Sequence, residues 1–202
     1  MNGSLVVVSG PSGSGKSSLC KKICGEFEFA SLSISTTTRK VRAGEKDGVD
    51  YFFTDESSFQ DMAAKGEFLE WAQVHGNLYG TSRVWVERAL ESGRSVIFDI
   101  DVQGQASIVR LFPKETTSIF LTTPSARALR SRLVGRGTDD QEAIEERLIN
   151  ARKEMESIDL FDYLLVNDSF DESYNLLRGI VLASRIKCGA VSLSKFISNW
   201  SN

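Results

Sequence analysis

Short runs of consecutive apolar residues alternate along this chain with stretches in which apolar side chains recur at helical spacing. Apolar runs of three to five positions, bounded by polar residues, are typical of parallel strands that are buried on both faces. The predicted strands cover residues 5–8, 96–100, 119–121 and 163–166, with a weaker candidate at 31–35. The predicted helices cover residues 17–24, 84–91, 125–134, 140–155 and 173–186.

The alternation of strand and helix predicts an α/β fold, in which helices cover both faces of a parallel sheet and the crossovers are right-handed. Ligands of such sheets bind beyond the carboxyl ends of the strands. Residues 36–82 interrupt the alternation, because their Thr, Arg, Gly, Glu and aromatic content predicts short strands and turns. We interpret this segment as an inserted substrate-binding lobe.

A second interruption is the basic, Gly-containing joint at residues 132–140, which is typical of a short mobile lid between two helices. The whole chain is predicted to form one domain. Its parts are a core at residues 1–35, 83–125 and 155–187, the lobe at 36–82, the lid at about 126–154, and a polar tail at 188–202 that includes a short docked helix.

The most specific motif begins directly after the first predicted strand. Residues 10–17 match the phosphate-loop pattern G-x-x-x-x-G-K-[ST] and lead into a predicted helix. Glycines let backbone N–H groups converge on phosphate oxygens, and the helix N-terminus adds partial positive charge. Lys16 can reach the β- and γ-phosphates, and the Ser17 hydroxyl can bind Mg²⁺ directly. With a strand before the motif and a helix after it, nucleoside triphosphate binding is favoured over a plain glycine-rich turn.

Composition and charge argue against several classes of protein. A net charge of −3 and a pI near 5.4 disfavour a general nucleic-acid binder. No apolar stretch approaches the roughly 20 residues of a membrane span, and the N-terminal residues lack the pattern of a signal peptide. We therefore expect a cytoplasmic protein with no nucleic-acid partner and no membrane partner.

The cysteines and the single histidine offer little chemistry. Cys20 and Cys24 lie four residues apart on one helix and can form half of a metal site, but no further Cys or His cluster completes it. Buried, reduced thiols are the favoured interpretation for this pair, and Cys188 is the third cysteine. His75 is interpreted as structural or solvated.

A second polar cluster lies in the predicted lobe. Arg39 and Arg42 stand three residues apart, with Thr hydroxyls before them and Tyr51 after them. Because a guanidinium group binds phosphate oxygens with two parallel hydrogen bonds, the pair can hold one phosphate group. The alternative is a solvated basic turn, to which Lys40 is assigned.

Carboxylates follow at two further places. Glu70 precedes a Tyr79-Gly80-Thr81 segment, and Asp99 and Asp101 close the apolar run at 96–100. Since side chains alternate across a strand, Asp99 and Asp101 are expected to point to the same side. An acidic residue at this position commonly holds Mg²⁺ through water, and we predict this role for Asp99. The alternative is an ordinary turn at the end of a strand.

Taken in order, these motifs resemble the guanylate kinase family over about residues 3–185. They are the phosphate loop, T-T-T-R-x-x-R-x-G-E, G-x-D-Y, E-W-A, Y-G-T, D-I-D-x-Q-G and R-x-x-x-R-G. The resemblance implies a nucleoside-monophosphate-kinase fold with a GMP-binding lobe and a lid. It also implies an enzyme of purine metabolism that uses Mg²⁺ to transfer the γ-phosphoryl group of ATP to GMP, and to dGMP, giving ADP and GDP.

The resemblance also assigns roles to individual positions. Arginines and tyrosines of the lobe grip the GMP phosphate, Ser35 and Thr81 face the base, and Glu70 and Asp101 read the guanine edge. The implied GMP-binding residues are Ser35, Arg39, Arg42, Tyr51, Glu70, Tyr79, Gly80, Thr81 and Asp101. The implied ATP-binding residues are Gly10, Pro11, Ser12, Gly13, Ser14, Gly15, Lys16, Ser17, Ser18, Arg136 and Asn167. The implied catalytic residues are Lys16, Arg39, Arg132, Arg136 and Arg147.

The chemistry of guanine supports the carboxylate assignment. Guanine presents two donors, N1–H and an exocyclic amine, whereas adenine offers an acceptor at N1 and no amine at C2. A buried site that depends on such hydrogen bonds can reject the wrong partner by roughly 10⁴-fold or more.

Three other functions compete with this hypothesis: a kinase for another nucleoside monophosphate, a non-catalytic phosphopeptide-binding module, and a GTP-binding switch. The complete phosphate loop argues against the second, and the absence of an N-K-x-D motif from the sequence argues against the third. Val41 stands where the family usually has Pro, which is expected to loosen the turn without removing a phosphate ligand. The sequence leaves open whether the protein is a monomer or a homo-oligomer.

Overall fold

The computed structural model describes residues 3–42, 44–74, 76–135, 137 and 140–200. The strands in these residues are β1 (Ser4–Ser9), β2 (Ala30–Leu32), β3 (Thr36–Thr37), β4 (Phe52–Phe53), β5 (Phe68–Val74), β6 (Asn77–Ser82), β7 (Ser95–Asp99), β8 (Thr116–Thr122) and β9 (Tyr163–Val166). The helices are α1 (Lys16–Glu26), α2 (Glu56–Ala64), α3 (Arg83–Glu91), α4 (Val102–Leu111), α5 (Ala126–Gly135), α6 (Gln141–Met155), α7 (Phe170–Ser184) and α8 (Leu193–Trp200).

The central sheet contains five strands in the order β2-β7-β1-β8-β9, and every neighbouring pair is parallel. The apolar runs predicted as strands at 5–8, 96–100, 119–121 and 163–166 are confirmed to within a few residues. The weaker candidate at 31–35 is only partly right, because β2 ends at Leu32. Ser33 donates one more backbone bond to Ile97 O, at 2.8 Å, and the chain then leaves for the second sheet.

Helices cover both faces of this sheet, as the alternation predicts. Val6 and Val8 of β1 lie in the hydrophobic core formed with α1 and α7. Leu5 and Val7 lie in the core formed with α3 and α4 on the other face. The odd and even positions of β1 therefore point to opposite sides, which explains why the whole strand is apolar.

The segment at residues 36–82 contains a second, four-stranded sheet in the order β4-β3-β6-β5. Phe59, Phe68 and Leu78 form a separate hydrophobic cluster beside it. The prediction of only strands and turns here was wrong, because α2 occupies residues Glu56–Ala64. Its start is encoded in Asp55, whose side chain accepts a hydrogen bond from Ser58 N at 2.8 Å and caps the helix.

Beyond β8, α5 and α6 pack on one another through a cluster that includes Leu129, Leu133 and Ile144. These helices confirm the predictions at 125–134 and 140–155. After α7, the Lys187 ammonium donates to Thr116 O, and a short 3-10 turn leads to α8. No helix among the described residues has the length and apolar character needed to cross a bilayer.

We predict that Leu177→Ala lowers the free energy of unfolding by about 2–5 kcal/mol, because Leu177 of α7 is fully buried against the sheet. The neighbouring Leu176 is 62% exposed, so Leu176→Ala is the matched control and should change stability by less than about 0.5 kcal/mol. Urea unfolding followed by circular dichroism measures both values. Equal losses in the two variants would contradict the packing described above.

Candidate active site

The phosphate loop, residues 10–17, connects β1 to α1 at the carboxyl edge of the central sheet. Gly10, Gly13 and Gly15 have φ angles of 125°, 96° and 106°, a region that L side chains rarely adopt. A Cβ at Gly10 would collide with the carbonyl oxygen of Leu121, and one at Gly15 would collide with the Asn167 side chain. Both backbone conformation and space therefore require glycine at these two positions.

Lys16 and Ser17 open α1 and point toward different partners. The Lys16 ammonium donates to the carbonyl oxygens of Gly10 and Pro11, at 2.5 and 3.0 Å. The Ser17 hydroxyl donates to Asp99 Oδ2 at 2.5 Å. The loop thus holds a cation beside a hydroxyl–carboxylate pair.

The Ser17–Asp99 pair fits Mg²⁺ that is bound mainly by a nucleotide. Mg²⁺ keeps several waters and is usually held by one or two protein oxygens together with substrate phosphates. The described residues contain no group of three or more His, Cys, Asp or Glu side chains that could form an all-protein metal site. A hydroxyl and a carboxylate are both ligands that Mg²⁺ accepts, so Ser17 and Asp99 could hold such an ion.

Asn167 and Arg132 support the phosphate loop from outside. Asn167 Nδ2 donates to Ser14 O at 2.7 Å, and its backbone N–H donates to Thr122 O at 2.7 Å. Arg132 donates to Ser14 O at 3.1 Å and to Asn167 O at 2.7 Å. The buried Ser14 Oγ and Asn167 Oδ1 have no hydrogen-bond partner among the described residues, so polar valences remain open beside the loop.

Of the two other arginines assigned to the lid, one contacts the phosphate loop. Arg147 of α6 donates to Ser12 Oγ at 2.9 Å and so contacts the phosphate loop directly. Arg136 lies outside the described residues, as does His75. Ser18 is exposed on the first turn of α1.

Glu70 and Asp101 converge on the N-terminus of α4. Glu70 Oε1 accepts a hydrogen bond from the Thr81 hydroxyl at 2.6 Å, and Asp101 Oδ1 accepts one from Gly104 N at 2.9 Å. A Cβ at Gly104 would lie 3.1 Å from Glu70 Oε2 and 3.4 Å from Asp101 Oδ1, so both carboxylates border the same glycine.

The sequence argument that placed Asp99 and Asp101 on one side of a strand was wrong. β7 ends at Asp99, and Asp101 is the N-cap of α4, a helix that the sequence analysis did not predict. Strand alternation therefore does not determine where Asp101 points. Its direction is set by the capping bond to Gly104.

The environment of Glu70 favours its neutral form. Burial raises the pKa of Glu70 to about 7, the Thr81 hydrogen bond opposes this rise, and the nearby charge of Asp101 adds to it. A ligand that donates hydrogen bonds to this carboxylate would stabilise its ionised form.

Arg39 and Tyr51 form the centre of a second polar cluster in the lobe. Arg39 donates to Glu45 Oε1 and to Lys40 O, each at 2.7 Å, and its guanidinium carbon lies 5.2 Å from the centroid of the Tyr51 ring. Burial lowers the pKa of Arg39, but interactions with Glu45 and Tyr79 outweigh this effect and raise it. Burial, with a smaller effect from Asp99, raises the pKa of Tyr51 to about 12.

Glu45 was missed as a functional residue, although it stands in the motif that carried the resemblance. One of its carboxylate oxygens accepts from Arg39, and the other accepts from Arg42 N at 2.9 Å. The Arg42 residue itself is exposed. Glu45 thus fixes the turn between the two arginines. This turn contains Val41 in place of a more rigid proline.

The remaining lobe residues line the second sheet. Ser35 and Thr81 are buried, and the Ser35 carbonyl accepts from Phe52 N at 3.0 Å. Gly80 pairs with Thr36, and a Cβ there would lie 2.9 Å from the Phe68 ring. Tyr79 packs edge-on against Tyr51, with ring centroids 6.0 Å apart.

The lobe also contacts the core directly. Lys21 of α1 forms an ion pair with Asp50, with 2.7 Å between Nζ and Oδ1.

Cys20 is buried, Cys24 is half-buried and Cys188 is exposed, and all three are free thiols. The prediction of buried, reduced thiols thus holds fully for Cys20 and only in part for Cys24.

A phosphate loop on the core, together with a lobe that carries its own arginines and tyrosines, is consistent with P-loop enzymes that transfer a phosphoryl group between nucleotides. A sequence model described as guanylate kinase matches residues 2–184, and the chain belongs to the guanylate kinase family. It is therefore an enzyme of the nucleoside monophosphate kinase class.

Individual relatives agree with this assignment. The chain is 46% identical to guanylate kinase of Wolinella succinogenes, over 99% of this chain and 93% of that protein. It is 45% identical to guanylate kinase of Helicobacter pylori strain 26695, over 98% of this chain and 96% of that protein. A crystal structure of guanylate kinase from Anaplasma phagocytophilum matches with a TM-score of 0.82 and 31% identity, over 98% of this chain and 95% of that one. These matches confirm the resemblance and the fold class.

We predict that Glu70→Gln stabilises the ligand-free protein increasingly as the pH rises from about 5 to 8. The pKa of Glu70 is higher in the folded protein than its usual value of 4.5, so the folded state holds the proton more tightly. The contribution of Glu70 to the free energy of unfolding is therefore fully present below pH 4.5, and it is lost as the pH rises through about 7. The advantage of the Gln variant over wild type should be on the order of 2–3 kcal/mol larger at pH 8 than at pH 5.

Thermal and urea unfolding across this pH range measure the difference. Glu67→Gln, at an exposed position just before β5, is the control and should follow the wild-type curve. A constant offset between Glu70→Gln and wild type at every pH would contradict the buried, neutral state of Glu70.

Proposed function

We propose that this chain transfers the γ-phosphoryl group of ATP to GMP, and to dGMP, giving ADP and GDP in purine nucleotide metabolism. The observation that carries the proposal is the convergence of Glu70 and Asp101 at Gly104, at the sheet edge that also holds the phosphate loop. This arrangement offers acceptors for a base on one side of the site and donors for a triphosphate on the other.

Guanine suits the two carboxylates, since its N1–H and exocyclic amine are both donors. Glu70 is already oriented by Thr81, and Asp101 by Gly104 and Gln103, and both carboxylates border Gly104. Adenine would place an acceptor against a carboxylate and leave a buried group unpaired, which strongly disfavours it. Recognition through the base and the phosphate makes no demand on the 2′-hydroxyl, which is why dGMP is included.

The GMP phosphate would be held by Arg39, Arg42, Tyr51 and Tyr79. Arg39 is oriented by its pairing with Glu45, and the raised pKa of Tyr51 keeps its hydroxyl protonated and able to donate. Guanidinium and phenol donors together fix the position of a tetrahedral anion. The phosphate oxygen that attacks ATP is thereby aligned before the reaction.

Transfer needs no covalent intermediate on the protein, because the GMP phosphate oxygen is itself the nucleophile. The main tasks of the chain are alignment and neutralisation of the charge that develops in the transition state. Lys16, Arg132 and Arg147 are the cations that contact the phosphate loop among the described residues. Ser17 would ligate Mg²⁺ and Asp99 would hold one of its waters; the metal, when bound, neutralises the β- and γ-phosphate oxygens.

We further propose that α5 and α6 close over both nucleotides and exclude water, because an open site would hydrolyse ATP without transfer. The proposed compartment is the cytoplasm, where both nucleotides are available and where free thiols such as those of this chain persist.

The proposal is tested by ADP release in a coupled assay with GMP, dGMP, AMP, UMP and CMP as acceptors. We expect kcat/KM for GMP to exceed that for AMP by about 10³-fold or more, because the carboxylates reject adenine. Chelation of Mg²⁺ should abolish turnover and added Mg²⁺ should restore it.

Two variants provide the controls for this assay. Lys16→Ala should lose turnover by about 10²-fold or more with the fold intact, which excludes a contaminating kinase. Glu70→Gln should lower kcat/KM for GMP and narrow its ratio to AMP, since the amide no longer presents only acceptors. Similar rates with GMP and AMP in the wild-type enzyme would refute the proposal.

A further inference from the structure

Glu154 lies on the face of α6 that is turned toward the phosphate loop. It follows Arg147 by seven residues and Ala151 by three, a spacing that places all three on one side of a helix. Arg147 donates to Ser12 Oγ at 2.9 Å, and Ala151 is buried in the contact between α5 and α6. The neighbouring Met155 sulfur accepts from the Thr122 hydroxyl at 3.5 Å, at the carboxyl end of β8. This end of α6 is therefore anchored beside the active site.

One oxygen of the Glu154 carboxylate has no hydrogen-bond partner within the part of the chain that the structure describes. Oε2 is buried, and no donor among the described residues reaches it. Leaving a buried carboxylate oxygen unpaired is unfavourable, typically by more than for a neutral group. Such an atom in a native protein calls for a partner, which a water, an ion or a donor of the active site supplies. Glu154 therefore offers a buried acceptor to a nearby donor.

Two charged groups act on this carboxyl from the elements opposite α6. They are Lys16, on the first turn of α1, and Asp101, at the N-terminus of α4. Burial raises the pKa of Glu154 most strongly, Lys16 opposes this rise, and Asp101 adds to it. Of these two groups, Lys16 is the one that favours the ionised carboxylate. Lys16 binds the carbonyl of Gly10, which packs against Leu121 of β8, and Met155 beside Glu154 contacts the next residue of that strand, Thr122.

The Lys16 ammonium can donate one more hydrogen bond than it makes to the loop carbonyls. Its ammonium group carries three N–H bonds, of which two are used by the carbonyls of Gly10 and Pro11. In the proposed reaction Lys16 must leave these carbonyls in order to hold the nucleotide phosphates. A mobile ammonium on a four-carbon stem then needs a fixed acceptor on the side away from the phosphates.

We propose that Glu154 is a positioning residue for phosphoryl transfer, and that its free Oε2 accepts a hydrogen bond from the Lys16 ammonium once Lys16 has turned from the loop carbonyls to the nucleotide. The inference rests on the proposed function. Because α6 carries both Arg147 and Glu154, the same helix would deliver a cation to the transferred group and hold Lys16 in line with it.

The test compares Glu154→Gln and Glu154→Asp with Glu156→Gln, a control two residues further on at an exposed position. Steady-state rates with GMP and ATP give kcat and both KM values, and thermal unfolding reports stability. We expect Glu154→Gln to lower kcat about 10-fold while both KM values stay within twofold and the unfolding temperature does not fall. Glu154→Asp should recover part of kcat, because the charge is kept, and Glu156→Gln should match wild type.

A double-mutant cycle shows whether Glu154 acts through Lys16. In the Lys16→Ala background, measured by transfer of labelled phosphate, adding Glu154→Gln should change the residual rate by less than twofold. A further 10-fold loss in that background, or an unchanged kcat in Glu154→Gln alone, would overturn the inference. These results leave the proposed function standing when wild type phosphorylates GMP; a wild-type enzyme that does not phosphorylate GMP would overturn both.

Discussion

The conformation of the phosphate loop is the constraint on which the rest of the active site depends. Between β1 and α1 the backbone takes left-handed φ angles at Gly10, Gly13 and Gly15. The loop is packed so closely that a single Cβ at Gly10 or Gly15 would meet Leu121 or Asn167. The elements packed around the loop therefore fix its shape.

Those elements also supply the charges of the site. Arg132 and Asn167 bond to the carbonyl of Ser14, and Arg147 bonds to Ser12, so the helices after β8 are tied to the loop by donors. The carboxylate acceptors lie on the other side of the site. There, burial raises the pKa of Glu70 and so favours its neutral form. Beside the loop, the buried Ser14 Oγ and Asn167 Oδ1 have no hydrogen-bond partner among the described residues.

Much of this architecture could be predicted from the sequence, because the strands of the central sheet are buried on both faces and read as plain apolar runs. The phosphate loop was equally clear, since its glycines, lysine and serine have fixed spacing. Helices α2 and α4 were not predicted. The first residues of α2 were interpreted as turns of the lobe, and those of α4 as part of a nucleotide-binding motif. In both cases the signal was an aspartate, Asp55 or Asp101, that caps the helix.

Other features depend on tertiary contacts that no local pattern reveals. The pairing of Arg39 with Glu45 brings together residues of one motif, yet only the structure shows that Glu45 fixes the arginine. Glu154 Oε2 is buried without a hydrogen-bond partner among the described residues, and only the packing of α6 reveals this. In the sequence, α6 has the pattern of an ordinary charged helix.

The most direct measurement of the central claim is a crystal structure with GMP and a non-hydrolysable ATP analogue bound together. The account predicts guanine N1 and its exocyclic nitrogen within hydrogen-bond distance of Glu70 and Asp101, and the GMP phosphate in line with the terminal phosphate on the loop. A guanine ring bound away from these two carboxylates, with the phosphate loop still occupied, would contradict it.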